Sequence, residues 1–132
     1  MDHKIRIVRY LYFFSLIAFL ILYLFPGSLI GYFFYGDFNR QPDIIPNPLG
    51  SSINHALAFF YLSLIALISY KRKKNFNQTL IFLIVLSLLL ELTHLVIPNR
   101  SFQSLDLFAN LLGTLLATVI IFLYKKFKYG KI

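Results

Sequence analysis

The chain has 132 residues, of which 58% are hydrophobic and only 14% charged, and its mean hydropathy is +0.72. Those figures exclude a disordered segment and sit badly with a soluble domain, in which roughly 25% of residues are charged. The absence of cysteine excludes disulfides, thiolate metal sites, iron–sulfur clusters and thiol nucleophiles, while the net charge of +8 would suggest nucleic acid only in a soluble chain.

No charge occurs between Arg9 and Asp37, and Tyr10 to Phe25 is almost wholly apolar before Pro26-Gly27. This predicts a first membrane-crossing helix over about residues 10–28. The run has the basic start of a signal peptide, but LFPGSLIGYFF offers no small-x-small cleavage site, so the span is expected to be retained. The tail from Leu29 to Phe38, with Tyr32, Phe33, Phe34 and Tyr35, reads as an aromatic belt at the outer interface. The next stretch, GDFNRQPDIIPNPLGSS, holds three of the five prolines and is predicted to be irregular or extended.

A second span is predicted over about 53–70, between LGSS and KRKK. A third, over about 79–97, is interrupted only by Glu91, Thr93 and His94. A fourth, over about 107–124, has Asn110 as its one strongly polar residue. Each run is about 16 to 20 residues, the length of a helix crossing a ~30 Å hydrocarbon core. The expected fold is an all-α membrane protein, a single domain over 1–132 with four transmembrane helices.

Of the thirteen Lys and Arg, eleven form three groups: Lys4, Arg6 and Arg9; Lys71, Arg72, Lys73 and Lys74; and Lys125, Lys126, Lys128 and Lys131. With four spans, all three groups fall on one side, and the other side holds only Arg40 and Arg100. The positive-inside rule then puts both termini in the cytoplasm and accounts for the positive charge without nucleic acid. The basic groups read as topology anchors against anionic headgroups.

Polar residues gather at the opposite, extracytoplasmic ends of spans two to four. Asn54 and His55 open the second span, Glu91 and His94 lie near the end of the third, Arg100 and Asp106 are in the loop PNRSFQSLD, and Asn110 is one turn into the fourth. Glu91 and His94 are three apart and Asp106 and Asn110 four apart, so each pair shares a helix face. Asn110, Gly113 and Ala117 continue as a stripe of small side chains, which lets a neighbouring helix come close. The inner halves of the same spans carry nothing comparable, and no inverted repeat suggests a transporter. These residues predict a buried polar pocket, because ionisable groups in a membrane span are rarely idle.

Each residue also has a structural explanation. Glu91 could be protonated or paired with Arg100, His94 could bond a backbone carbonyl, Asp106 stands where an N-cap of the fourth span belongs, and Asn110 could bond across helices. A metal held by His55, His94 and Glu91 would need a further carboxylate, which only Asp106 could supply. No metal and no cofactor are therefore expected. Ser101 and Ser104 are near Asp106, but nothing marks either as a nucleophile. Arg100 with His55 or His94 suits a phosphate or carboxylate group better.

The motifs NHALAFFYLS, from Asn54, and ELTHLVIPNRSFQSLDLFANLLG, from Glu91, resemble the VanZ-like membrane proteins. The resemblance rests on His55, Glu91, Pro98, Arg100, Asp106, Asn110 and Gly113 and covers about two-thirds of the chain. Two departures stand out. This chain reads GSSINH where the family usually has Asp-Lys before the His, and it has His94 where the family usually has Gln. The resemblance implies a cell-envelope membrane protein linked to teicoplanin-type glycopeptide resistance, with no agreed reaction. The expected function is binding or modification of a membrane lipid or lipid-linked cell-wall intermediate at the outer leaflet of a bacterial cytoplasmic membrane. Asn54, His55, Arg100, Asp106 and Asn110 are the expected binding residues. Glu91, His94 and His55 are the candidates for acid–base work, whether or not the protein is an enzyme. The alternative is a non-catalytic accessory protein whose polar cluster is structural, and no particular protein partner is indicated.

Overall fold

A computed structural model of the protein describes residues 3–42, 52–69 and 73–129. Among these residues all regular structure is helical, in five helices: α1 (His3–Leu24), α2 (Leu29–Tyr35), α3 (Ser52–Ile68), α4 (Lys73–Thr93) and α5 (Ser104–Tyr129). Three stretches, Ile5–Leu24, Asn75–Thr93 and Ser104–Lys128, are long and apolar enough to cross a membrane. Helix α3 is equally apolar but has 17 residues, or ~26 Å at 1.5 Å per residue.

The helix ends differ from the apolar runs for local reasons. Helix α1 stops at Leu24, four residues before the end read from hydropathy. Pro26 brings no N–H, and Gly27 takes φ +91°, a backbone region that L side chains avoid. The chain then winds into α2, capped by the Ser28 hydroxyl, which accepts from Gly31 N at 2.9 Å, and closed by Gly36 at φ +70°. The aromatic tail is thus largely a short helix with Tyr32, Phe33, Phe34 and Tyr35 exposed. Residues 36–42 are irregular, as expected, and the rest of that proline-rich stretch, 43–51, lies outside the described residues. Helix α4 ends at Thr93, so His94 to Ile97 are turns and not the close of a span.

The C-terminal ends of α1 and α4 meet the N-terminal ends of α3 and α5, so the four longer helices alternate in direction. Helices α3 and α5 approach most closely. Gly113 of α5 is buried against the α3 backbone, where an added Cβ would overlap the Ala56 carbonyl and come within 2.8 Å of Phe60 N. Leu62, Ile65 and Ala66 of α3 form the core with Leu83 of α4, Ile121 of α5 and Tyr12 of α1. A smaller cluster of Tyr23, Phe59 and Leu90 lies beneath the polar end. The outside is apolar too: Phe14 is 73% exposed and Phe108 68%, which only a lipid-like surrounding tolerates at such density. At the far end Lys125 Nζ donates to Leu67 O at 3.3 Å and lies 4.6 Å above the Phe76 ring.

Candidate functional site

The predicted polar residues converge where the ends of α1, α3, α4 and α5 meet. His55, one turn into α3, is buried, and its Nε2 lies 3.4 Å from Asp106 Oδ2 in the first turn of α5. The same carboxylate accepts from the Ser52 hydroxyl at 2.5 Å. Asp106 is therefore not the N-cap its position suggested. It is the third residue of α5, and its side chain turns across to α3 instead of back to its own backbone.

Glu91 is fully buried at the end of α4. Its Oε1 accepts from Gln103 N at 2.9 Å and stands 3.5 Å from His94 Nδ1, while Oε2 has no hydrogen-bond partner among the described residues. The pairing of Glu91 with Arg100 does not form. Arg100 donates from Nη2 to Leu22 O at 2.9 Å and from Nε to Phe25 O at 3.4 Å, tying the loop to carbonyls that α1 leaves bare at its end. Burial lowers the pKa of this guanidinium from its ordinary value, opposed by charges that include Glu91 and Asp106, and it stays charged. His94 joins the same seam, its Nε2 lying 3.2 Å from Tyr23 O.

Tyr23 is the residue that sequence reasoning missed. It stood in an apolar run, yet its hydroxyl donates to Asn110 Oδ1 at 3.1 Å and lies 3.1 Å from His55 Nδ1, and its ring stacks on His94 at 5.9 Å. The available signal was a hydroxyl three residues before the proline that ends the helix. Ser52 and Gln103 were missed too, both sitting in stretches that look like plain loop. Two hydroxyl pairs deeper in the bundle, Ser63 with Thr114 and Ser15 with Tyr61, each at 3.1 Å, show that the far half is not purely apolar. Both are neutral and carry no chemistry.

Asn54 sits apart from the carboxylates. Its Nδ2 donates to Pro42 O at 2.8 Å, and it lines a cavity of about 360 Å³ between α1, α2 and α3. Side chains such as Phe19, Leu57 and Ile30 make most of the wall, and His55, Tyr23 and Arg100 supply the polar end. The cavity thus brings an apolar lining together with a guanidinium and an imidazole. Among the described residues, one donor atom each of His55, Glu91 and Asp106 lie within 4.8 Å of one another. This set differs from the His55, His94 and Glu91 set weighed from sequence, and it includes the further carboxylate.

The sequence model of one protein family, described as VanZ/LLP1, matches residues 5–125. No curated protein and no solved structure matches the chain.

Proposed function

The chain belongs to the VanZ/LLP1 family, and from that premise we propose that it binds or modifies an anionic cell-envelope lipid or lipid-linked intermediate at the outer leaflet of a bacterial cytoplasmic membrane. One observation carries the reading: a cavity of about 360 Å³ whose lining is largely apolar and includes Arg100 and His55. An acyl or prenyl chain suits the walls, and a phosphate or carboxylate suits the guanidinium and imidazole. Asn54 orients the headgroup at the rim. Asp106 faces His55, Glu91 faces His94 and Asn110 accepts from Tyr23, and modification would use Glu91 with His94 or His55 for proton transfer.

Four helices cross the membrane in this reading, α3 being the fourth. Both termini and the loop carrying Lys71 to Lys74 face the cytoplasm, since the basic residues gather at the end opposite the cluster. Residues 71 and 72 lie outside the described residues, and the assignment there rests on sequence. The glycopeptide phenotype belongs to the proposal as well: a lipid-linked cell-wall intermediate is the kind of molecule whose handling would change susceptibility to a teicoplanin-type antibiotic.

A second reading, an accessory protein with a structural cluster, is favoured by one feature. The bonds of Arg100 to α1 and of Asp106 to Ser52 are internal ties that hold the bundle whatever it binds. Native mass spectrometry of the protein extracted gently from its own membrane separates the two. We expect a polyprenyl phosphate or anionic phospholipid on the wild type that is absent from Arg100→Ala and Glu91→Gln. The same lipid on all three proteins would support the accessory reading.

A further inference from the structure

Hydrogen bonding alone leaves the centre of the cluster incomplete. The single proton of the Tyr23 hydroxyl goes to Asn110 Oδ1, so His55 Nδ1, 3.1 Å from the hydroxyl oxygen, is the donor in that contact. A neutral His55 then has no proton on Nε2, and its lone pair faces Asp106 Oδ2 at 3.4 Å. Beside them Glu91, fully buried, has Oε2 without a hydrogen-bond partner among the described residues. The three side chains bring one donor atom each to within 4.8 Å of the others. The guanidinium of Arg100 is turned to the carbonyls of Leu22 and Phe25 and is not spent on these oxygens. A lone pair and two carboxylates that converge in an apolar interior repel one another unless a proton or a metal ion lies between them.

We propose that His55, Glu91 and Asp106 together hold a divalent cation. The 3.4 Å from His55 Nε2 to Asp106 Oδ2 is close to the ~3.4 Å between ligands around a tetrahedral ion with bonds of ~2.1 Å. The donation from Nδ1 to Tyr23 fixes the ring tautomer that leaves Nε2 free to ligate, which is how metal-binding histidines are ordinarily oriented. One imidazole nitrogen and two carboxylate oxygens suit Zn²⁺ or Mn²⁺ and do not suit a thiolate-seeking ion. Two positive charges balance two carboxylates. Three protein ligands leave a coordination position open, and since His55 also borders the cavity, an anionic group entering there would complete the shell. The cation site shares His55, Glu91 and Asp106 with the proposed lipid site, but it is measured with the metal alone.

The test uses tag-free protein in a His3→Ala background, stripped with a chelator and titrated with Zn²⁺, with bound metal counted by mass spectrometry of the element. The expected result is one equivalent. Binding should weaken at least about tenfold in His55→Ala and in Asp106→Asn. X-ray absorption of the loaded wild-type site should show an imidazole nitrogen among oxygen ligands, a readout that needs no variant to fold. The proposal is overturned if the wild-type site binds no more Zn²⁺ than the His55→Ala/Asp106→Asn double variant, or if its bound metal has no imidazole. Neither result bears on lipid retention, which is read separately.

Discussion

At the scale of single residues, the site is held by side chains that do two jobs. Tyr23 links α1 to α3 and α5 through one hydroxyl, so Tyr23→Phe leaves His55 Nδ1 and Asn110 Oδ1 without it. Losing a partner for buried polar groups costs ~1–3 kcal/mol. Tyr23→Phe should therefore lower the thermal aggregation temperature of the detergent-purified protein, whereas Tyr10→Phe at a site 69% exposed should not. Equal behaviour of the two variants would mean that the hydroxyl holds nothing. His55, Glu91, Arg100, Asp106 and Asn110 were legible in the sequence, because a charge or amide in an apolar run stands out against its neighbours. Tyr23 and Ser52 were not. A tyrosine is ordinary in a membrane span and a serine ordinary before a helix, so neither has a contrast to betray it. The Arg100 side chain was found, but its partners were not, since backbone carbonyls carry no residue identity.

At the scale of elements, the stripe Asn110, Gly113 and Ala117 does what its spacing predicted and packs inward, with Asn110 and Ala117 fully buried. Gly113 matters because the α3 backbone, which cannot move aside like a side chain, occupies the place of its missing Cβ. Gly113→Leu should separate α3 from α5 and destabilise the fold by roughly 1–3 kcal/mol, outweighing the ~1 kcal/mol by which leucine is the better helix former. Leu112→Ala, at an exposed neighbouring position, is the control, and a Gly113→Leu protein as heat-stable as this control would refute the close approach. The existence of the helices was plain from the apolar runs, but their ends were displaced by several residues. Hydropathy marks where a segment prefers lipid. Backbone conformation at Gly27 and the cap at Ser28 mark where α1 gives way to α2.

At the scale of the whole molecule, the proposed orientation is open to a direct check, since the chain has no native cysteine. A membrane-impermeant maleimide should label Ser101→Cys in intact cells and Lys126→Cys only after permeabilisation. The reverse pattern would move the cluster to the cytoplasmic side and remove the outer-leaflet reading. By itself the sequence determined an all-helical, lipid-exposed protein, its family, and a set of polar residues near the ends of its helices, because length, apolar content and isolated charges are local properties. Only the tertiary structure decided that α1 joins the site, that Asp106 turns to Ser52 and His55 instead of capping its own helix, and that Glu91 keeps an oxygen unpaired beside them. The reason is that lipid removes the polar face by which a soluble helix announces its outside. With apolar side chains all round, the rotation of each helix is set by close contacts such as Gly113 on α3, and those exist only once the helices have met.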